Sequence, residues 1–318
     1  MPTISLCMIV KDEQEYLPSC LAGVKGLVDE IIIVDTGSED NTKHIAQEHG
    51  ARIIDFGWCD DFSAARNESV RHATGDWILF LDADEVLSND DAQKIRSLLA
   101  HTDEFVEKKV MGFLLNVRNH CKGEERMPSF GIFEKDDGRA TNKGPGFFSI
   151  PLVRLFRNGR GFRFAGRIHE SVHDSIMARG YGIAQTDIII DHYGFLKDEG
   201  VIDRKAKKYL AILGKQIAQD PEDVRANYYL GRTYKAIRNY DMALHHLLRV
   251  VSIHPEYFSF TIDPYTDIGD VYFVQEHYSL ALSYYEKSRQ KNPYHNDVVD
   301  EKIARCEELI NMRVAEGA

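Results

Sequence analysis

The chain has 318 residues, of which 43% are hydrophobic, and a formal net charge of -11 at pH 7. This length and apolar content suffice for two domains with packed cores, whereas the negative charge argues against nucleic acid as a partner, because phosphate contacts require a dense basic surface. No apolar run approaches the ~20 residues that cross a bilayer, and no basic leader precedes the first apolar run, so we expect a soluble, cytoplasmic protein. The five cysteines form no Cys-x-x-Cys pair, which indicates reduced thiols and no zinc site.

The first half of the chain alternates short apolar runs with helical patterns. The runs have the length of strands, and glycine or polar turns separate them from the helices. Such alternation is typical of an α/β domain with a mostly parallel sheet and right-handed crossovers. The apolar runs that we interpret as its first strands are residues 4–10, 30–35, 51–56 and 77–81.

Acidic residues stand where three of these strands end. Asp35 ends one of the runs, Asp55 is the last residue but one of another, and Asp82 and Asp84 follow a third. Because ligands bind at the carboxyl edge of open α/β sheets, we expect these acids to line a site. Two neighbouring carboxylates need a cation between them, and Mg²⁺ and Mn²⁺ prefer oxygen ligands. The sequence therefore predicts that Asp82 and Asp84 hold a divalent metal against a diphosphate; a short acidic turn without a ligand is the alternative.

Two further side chains are expected at this edge. Arg66 would neutralise the diphosphate, with a salt bridge to Asp61 or Glu68 as the alternative. His192 ends an apolar run at 188–190, and we expect it to be the third metal ligand, the alternative being a hydrogen-bonded histidine at the rim.

The later part of the first half is predicted to add strands at 111–118, 151–157 and 188–190. Between them, residues 119–148 form a long polar stretch with several glycines. Loops of this length in compact domains are usually functional, so the stretch is either an active-site lid or an insertion over the sheet.

After Phe195 the pattern becomes helical throughout. Four small, aromatic or proline residues recur with a displacement of 38 positions: Gly231, Tyr234, Ala243 and Pro255 return as Gly269, Tyr272, Ala281 and Pro293. Pro221 and Pro255 are 34 residues apart, which is the tetratricopeptide period. We therefore expect tetratricopeptide repeats, preceded by a helix at 204–218 and capped by a helix at 298–312. The predicted domains are residues 1–197 and 198–318.

Three stretches of the first half resemble the family 2 glycosyltransferases of the GT-A fold. They are Asp35-Thr36-Gly37-Ser38-Glu39-Asp40-Asn41-Thr42, Trp58-Cys59-Asp60-Asp61-Phe62-Ser63-Ala64-Ala65-Arg66-Asn67, and residues 75–85 with the Asp-x-Asp. With its C-terminal repeats, the chain looks like the subgroup that carries a tetratricopeptide domain and includes bacterial peptide and protein glycosyltransferases. The specific part of the resemblance covers about the first 195 residues.

The resemblance implies an inverting transfer from a nucleotide-activated sugar, most often a UDP-hexose, with Mn²⁺ or Mg²⁺. It places Asp35 at the nucleotide, Asp61 and Arg66 near the uracil and phosphates, and Asp82 and Asp84 at the metal. The further residues that we expect at the nucleotide sugar are Val10, Lys11, Glu13 and Ala83. Asp12 stands where the family usually has asparagine. The Gln-x-x-Arg-Trp motif and the membrane spans of processive synthases are absent from the sequence, which implies transfer of a single sugar.

The reaction also requires a general base across the sugar from the metal. An acceptor hydroxyl or thiol attacks the anomeric carbon opposite the diphosphate, while the metal stabilises the departing charge. Glu170 is the predicted base, because it follows the later strands and has His169 and Arg167 beside it. The alternative is that Glu170 pairs with Arg167 and only shapes the pocket.

Two other function classes compete with this one. A sugar nucleotidyltransferase needs a glycine-rich basic loop after its first strand, where Lys11-Asp12-Glu13 stands instead. A repeat-based adaptor with an inactive nucleotide-binding domain is opposed by the intact Asp-x-Asp.

Because repeat arrays form concave grooves, we expect a polypeptide acceptor modified at Ser, Thr or Cys; a lipid-linked or lipopolysaccharide saccharide is the alternative. A homodimer through residues 222–318 is compatible with the repeats.

Overall fold

The computed structural model describes residues 1–122, 134–135, 145–196, 199–258, 262–292 and 296–316. The chain divides into an N-terminal unit that ends at Leu196 and a C-terminal unit built from the helices that follow. The predicted domain boundary between residues 197 and 198, most of the predicted lid and Pro293 lie outside the described residues.

The N-terminal unit is built on a mixed sheet. Its strands are β1 (Ile4–Val10), β2 (Glu30–Asp35), β3 (Arg52–Asp55), β4 (Trp77–Phe80), β5 (Glu85–Leu87), β6 (Val110–Cys121), β7 (Glu134–Lys135), β8 (Gly146–Arg157) and β9 (Gly182–His192). Across the described residues the strand order is β3-β2-β1-β4-β8-β6-β9-β5, with β7 paired to β8. Strands β1 to β4 are parallel to their neighbours among these four, and β6 is parallel to β9. Strand β8 runs antiparallel to β4 and β6, and β5 runs antiparallel to β9.

The prediction of an α/β domain is confirmed, and its first four strands lie where the apolar runs predicted them. Along β1, Leu6 and Met8 enter one hydrophobic core while Cys7 enters another. A strand buried on both faces has no polar alternation, which explains the continuous apolar runs. The antiparallel β8 makes the sheet mixed, a feature that the apolar pattern of residues 151–157 does not encode.

Helices flank this sheet. They are α1 (Leu17–Gly23), α2 (Thr42–Glu48), α3 (Phe62–His72), α4 (Asn89–Ala100), α5 (Thr102–Glu107) and α6 (His173–Met177). Asp61 and Ser88 cap α3 and α4, because their side chains accept hydrogen bonds from the free backbone N–H groups of the first turn. Strand β5 was not predicted, since its three residues are too few to show a period. Helix α4 was not predicted either.

The C-terminal unit is helical. Its helices are α7 (Glu199–Gln219), α8 (Val224–Ala236), α9 (Tyr240–Ile253), α10 (Pro264–Val274), α11 (Tyr278–Lys291) and α12 (Asn296–Glu316). The recurring glycines lie where helices cross closely: a Cβ on Gly231 would be 2.5 Å from Leu247 Cγ, and one on Gly269 would be 2.5 Å from Tyr285 Cε1. The helix pairs and their interlocking small residues are consistent with the predicted tetratricopeptide repeats.

Buried polar contacts join α8 to α10. Lys235 Nζ pairs with Asp267 and lies 3.0 Å from Asp270 Oδ2. The Tyr228 hydroxyl donates a hydrogen bond of 2.9 Å to Asp267 Oδ2. One repeat therefore supplies the hydrogen-bonding partners of the next.

Two features of the described residues concern membranes and thiols. Among the described helices, none combines the length and the apolar character needed to cross a membrane. All five cysteines carry free thiols, and Cys59 is the exposed one. Burial raises the pKa of the Cys7 thiol to about 12, so this cysteine stays protonated in the core.

Candidate functional site

The predicted acids do meet at the carboxyl edge of the sheet. Val10 at the end of β1 is in register with Asp35 at the end of β2, and Asp35 is in register with Asp55 of β3. Strand β4 lies on the other side of β1 and leads directly to Asp82. Parallel pairing thus places the acids of these strands along one edge.

Asp35 is buried and only partly satisfied by the protein. Its Oδ1 accepts hydrogen bonds from the backbone N–H groups of Gly37 (3.0 Å) and Ser38 (2.9 Å), and Lys43 Nζ lies 3.6 Å away. In the described part of the chain, no donor reaches its buried Oδ2. An unpaired buried carboxylate oxygen is unfavourable, so this atom is suited to accept a hydrogen bond from a ligand.

Asp12 connects the two loops that follow β1 and β2. Its backbone has φ of 54°, a left-handed conformation that aspartate and asparagine tolerate better than most residues. Its Oδ1 accepts from Glu39 N (2.8 Å) and its own N–H donates to Ser38 Oγ (3.0 Å). Next to it, Glu13 N–H donates to Thr42 Oγ1 (2.8 Å). Aspartate therefore serves this turn as asparagine would, and the expected nucleotide contacts of Lys11 and Glu13 stay predictions.

Asp61 has a structural role in this conformation. Its Oδ1 accepts from Ala64 N (3.0 Å) and from Ser63 Oγ (2.7 Å), which caps α3. The cap fixes the first turn of the helix that carries Arg66. Asp61 thus lies near the predicted phosphate region, and its contact with uracil stays a prediction.

Arg66 joins two predicted site residues that are far apart in sequence. Its Nη1 lies 3.0 Å from Asp82 Oδ1, and its Nε donates to Glu170 Oε1. The guanidinium carbon stacks 4.2 Å from the centre of the Phe80 ring, a favourable cation–π contact. The acids paired with Arg66 are therefore Asp82 and Glu170, and not Asp61 or Glu68, the alternatives considered from the sequence.

Arg154 and Glu85 complete this buried cluster, and neither residue was predicted from the sequence. Arg154 Nη2 lies 3.1 Å from Asp82 Oδ2 and also pairs with Glu85 Oε1. The other oxygen of Glu85 accepts from Asp82 N at 2.9 Å. An arginine inside an apolar strand and a third acid after Asp84 were the available signals.

Burial and the charges of this cluster shift the pKa values of Asp82 and Glu85 in opposite directions. Burial would raise the pKa of Asp82, but the guanidinium groups of Arg66 and Arg154 outweigh it and hold that pKa well below its usual range. Burial raises the pKa of Glu85 to about 7, although Arg154 opposes the shift. Asp82 is therefore ionised and closely held by two arginines.

Asp84, the second acid of the Asp-x-Asp, faces His192. Asp84 Oδ1 lies 3.5 Å from His192 Nε2, while His192 Nδ1 lies 2.7 Å from Asn119 Oδ1. A neutral imidazole that donates from Nδ1 presents the lone pair of Nε2 towards Asp84. Burial would lower the pKa of His192, but the Asp84 carboxylate outweighs it and raises the pKa. Asn119, which orients the ring, was also missed by the sequence analysis.

These contacts allow the predicted metal set to be examined. Ligand atoms of one octahedral Mg²⁺ lie about 3 Å apart, since each is about 2.1 Å from the ion, and the 3.5 Å between Asp84 Oδ1 and His192 Nε2 is near this value. A Cβ built on Gly194 would lie 2.5 Å from His192 Nε2 and 2.9 Å from Asp84 Oδ2, so the glycine leaves space at both atoms. In the described ranges no three His, Cys, Asp or Glu side chains form a ready ligand set. Asp84 and His192 thus fit a divalent ion. Asp82 faces the arginines, and its place in the metal set stays a prediction.

Glu170, the predicted base, lies in a tight turn beside α3. Residues 165 and 171 form an antiparallel bridge around it, and His169 within the turn has φ of 49°. Phe62 N–H donates to Arg167 O at 2.9 Å, which anchors the turn to the start of α3. The Glu170 side chain is 6% exposed and pairs with Arg66. Its assignment as base stays a prediction.

Comparison with known proteins bears on both units. Residues 5–137 match the family model described as Glycosyl transferase family 2. A TPR repeat-containing protein of Synechococcus elongatus is 38% identical over 229 residues, which are 70% of this chain and 50% of the relative. The SPbeta prophage-derived glycosyltransferase SunS of Bacillus subtilis is 23% identical over 259 residues, 80% of this chain and 55% of the relative. The chain spans about half the length of these curated relatives.

Solved structures of low similarity were also found. The crystal structure of S. aureus TarS 1-349 is 14% identical, with a TM-score of 0.40, over 98% of this chain and 91% of that one. Glucosyl-3-phosphoglycerate synthase from Mycobacterium tuberculosis, in complex with Mn²⁺ and UDP-glucose, is also 14% identical with a TM-score of 0.40, over 67% of this chain and 77% of that one.

Proposed function

Because residues 5–137 form a glycosyl transferase family 2 domain, we propose that this protein transfers a single sugar from a UDP-hexose, of glucose or N-acetylglucosamine type, to an acceptor with inversion at the anomeric carbon. Mn²⁺ or Mg²⁺ is the proposed cofactor.

The observation that carries the proposal is the pair of charge environments directly after β4. Arg66 and Arg154 both contact Asp82, and Asp84 lies 3.5 Å from His192. Guanidinium groups bind phosphate oxygens through paired hydrogen bonds, and a carboxylate with an imidazole suits a divalent ion. A sugar diphosphate with its metal needs both environments next to each other.

The nucleoside is proposed to bind at the end of β2. Asp35 Oδ2 is buried and is offered no donor by the described residues, so it can accept from a base N–H or a ribose hydroxyl. Val10 is the register partner of Asp35, and Lys11 and Glu13 follow it in the same loop. Ala83 lies between the two acids of the Asp-x-Asp.

Glu170 is the proposed general base. The acceptor oxygen or sulfur forms a bond to the anomeric carbon, its proton passes to the Glu170 carboxylate, and the electron pair of the broken sugar–phosphate bond leaves with UDP. A divalent ion held by Asp84 and His192 would stabilise the charge on the departing diphosphate. Arg66 contacts both Glu170 and Asp82, so it positions the base relative to the leaving-group side.

The acceptor is proposed to be a polypeptide side chain of Ser, Thr or Cys, bound with help from the repeats. The similarity to SunS, which is named a glycosyltransferase, extends over 80% of this chain and thus beyond the family 2 domain. We further propose that residues 1–197 and 198–318 are the two domains and that the reaction takes place in the cytoplasm. A lipid-linked or lipopolysaccharide saccharide is the alternative acceptor, and a homodimer through the repeats is a second use of that surface.

Release of UDP from candidate donors tests this function. UDP-glucose, UDP-galactose and their N-acetyl forms are incubated with the full chain and Mn²⁺, with an EDTA control, and UDP is quantified by chromatography. We expect slow hydrolysis of one donor that EDTA abolishes. We also expect Asp84→Asn to reduce the rate at least 100-fold, because it removes the charge proposed to hold the metal. Asp55→Asn, at the same sheet edge but solvent-exposed, is the matched control.

The outcomes separate the function classes. Donor hydrolysis that resists both EDTA and Asp84→Asn would refute metal-dependent transfer. Pyrophosphate released from UTP and a sugar phosphate would identify a nucleotidyltransferase. A chain that binds no UDP-sugar in a thermal-shift assay, where ligand binding raises stability, would be an adaptor.

A further inference from the structure

Gly194 lies directly against the two side chains proposed to hold the metal. It follows β9, two residues after His192, and Tyr193 N–H donates to the backbone carbonyl of Asp84 at 3.0 Å. This hydrogen bond fixes the chain at Gly194 next to the loop that carries Asp84. The position of its Cα is therefore set by backbone contacts.

The space beside Gly194 adjoins polar atoms of both side chains. A Cβ there would lie 2.5 Å from His192 Nε2, 3.1 Å from His192 Cε1 and 2.9 Å from Asp84 Oδ2. Real Cβ atoms do not approach other atoms this closely, so any side chain at this position would have to displace the imidazole, the carboxylate or both. The imidazole is held on its other side by Asn119 and packs edge-on against Phe195.

Other glycines that lack room for a Cβ serve the packing of the fold. A Cβ on Gly75 would meet the backbone of Ser5 at 2.8 Å, and one on Gly23 would meet Leu87 O at 2.7 Å. In both cases backbone atoms would have to move, which indicates a role in folding. At Gly194 the closest atoms are the polar ends of two side chains, which can rotate without moving the backbone.

We propose that Gly194 keeps the metal site accessible: its missing side chain leaves room for a divalent cation beside Asp84 Oδ2 and His192 Nε2. This inference rests on the proposed function, since it assumes a metal at these two side chains. A methyl group at position 194 fills the same space and turns the donor atoms away from a common ion. Gly194→Ala should therefore bind metal weakly while it keeps the fold.

Direct metal binding tests this inference without any measurement of sugar transfer. Free Mn²⁺ is quantified by electron paramagnetic resonance during titration of the full chain, and the thermal midpoint is recorded in EDTA. For Gly194→Ala we expect at least a 10-fold higher Kd for Mn²⁺ and a midpoint in EDTA within a few degrees of the parent chain. Gly214→Ala is the matched control, because that glycine lies in α7 and, its own helix backbone aside, no atom of the described residues lies within 4 Å of its Cβ position; it should leave the Kd unchanged.

Each result decides between the inference and the function on which it rests. Equal Mn²⁺ affinity of Gly194→Ala and the parent chain would overturn the inference and leave the proposed function standing. Absence of Mn²⁺ binding by the parent chain would overturn both. If Gly194→Ala does not fold, paramagnetic broadening in the parent chain decides: the Gly194 amide signal should broaden at substoichiometric Mn²⁺ well before that of Gly214, and equal broadening would refute the proposal.

Discussion

Arg66 Nη1 lies 3.0 Å from Asp82 Oδ1, and the same guanidinium pairs with Glu170. One arginine therefore contacts the first acid of the Asp-x-Asp and the proposed base. The two are 88 residues apart in sequence, from position 82 to position 170. A change in charge at either acid should therefore alter the position of Arg66 and, with it, the electrostatic environment of the other acid.

Removal of Arg154 should destabilise the N-terminal unit through the charges it leaves behind. Arg154→Met leaves Glu85 and Asp82 with one guanidinium fewer, and breaking a buried ion pair in this way costs about 3–5 kcal/mol. Urea unfolding followed by tryptophan fluorescence measures the loss, because Trp58 and Trp77 both lie in this unit. Adding Glu85→Gln to Arg154→Met should recover at least 1 kcal/mol. If the double variant is no more stable than the single one, the charge explanation is wrong.

The buried oxygen of Asp35 should matter for the nucleotide. Asp35→Asn keeps the shape of the side chain but replaces one acceptor oxygen by a donor, and we expect the Kd for UDP to rise about 10-fold, equivalent to about 1.4 kcal/mol. Isothermal titration calorimetry measures it. Asp55→Asn alters the register neighbour, whose side chain is 79% exposed, and should change the Kd less than twofold. Equal effects of the two substitutions would remove Asp35 from the nucleotide site.

Replacement of the proposed base should affect turnover more than donor binding. Glu170→Gln keeps a side chain of the same size next to Arg66, and loss of general-base catalysis lowers kcat by about 10²–10⁴-fold. Single-turnover transfer with the donor identified by UDP release measures the rate, and calorimetry with UDP measures binding. Arg167→Gln is the control. The ion-pair partner of Glu170 is Arg66 and not its sequence neighbour Arg167, so this substitution should leave kcat nearly unchanged. A kcat within a few fold of the parent value would assign Glu170 to positioning Arg66.

Acid should loosen the first repeat through His246. Its Nδ1 lies 3.0 Å from Asn227 Oδ1 and its ring stacks on Tyr234, while His245 lies edge-on beside it. Burial, with a smaller contribution from His245, lowers the pKa of His246 to about 4 from 6.5. Between pH 4 and pH 6.5 the unfolded chain binds more protons than the folded one. The contribution of neutral His246 to the free energy of unfolding is therefore complete above pH 6.5 and decreases as the pH drops towards 4.

The expected loss is on the order of 2 kcal/mol, less than the full shift implies because the ring is partly hydrated. Hydrogen exchange of the α9 amides at several pH values measures it. His246→Asn keeps a donor near the Nδ1 position and should flatten the pH dependence, whereas His245→Asn, at an exposed neighbour, should leave most of it in place. An unchanged pH profile for His246→Asn would assign the acid sensitivity to another group.

Sequence reasoning located the strands and acids that are local in the chain. The apolar runs before Asp35 and Asp82 predict buried strands, and parallel pairing brings their ends to one edge, as the register of Val10 with Asp35 confirms. The recurrence of Gly231 and Gly269 predicted tetratricopeptide repeats for a similar reason, since a short repeat carries its own pattern. These predictions needed no knowledge of distant contacts.

The residues that were missed depend on pairing between distant strands. Arg154 reaches Asp82 because β8 inserts antiparallel beside β4, with Leu155 opposite Leu79, and nothing in an apolar strand specifies its neighbour or direction. Likewise, Glu85 faces its partners because β5 pairs with β9, where Glu85 is in register with His192. A periodic pattern reveals an element, but the order of strands in a sheet is a property of the whole chain.

The contacts between α8 and α10 have a consequence for how such a chain can change over evolutionary time. Lys235 and Tyr228 of one repeat depend on Asp267 of the next. Deleting or duplicating a single 38-residue module would leave the Lys235 amine and the Tyr228 hydroxyl in the interior without Asp267 as their partner. An unpaired buried polar group costs about 1–3 kcal/mol. The array should therefore grow or shrink by whole pairs of modules, or only together with compensating changes at the new junction.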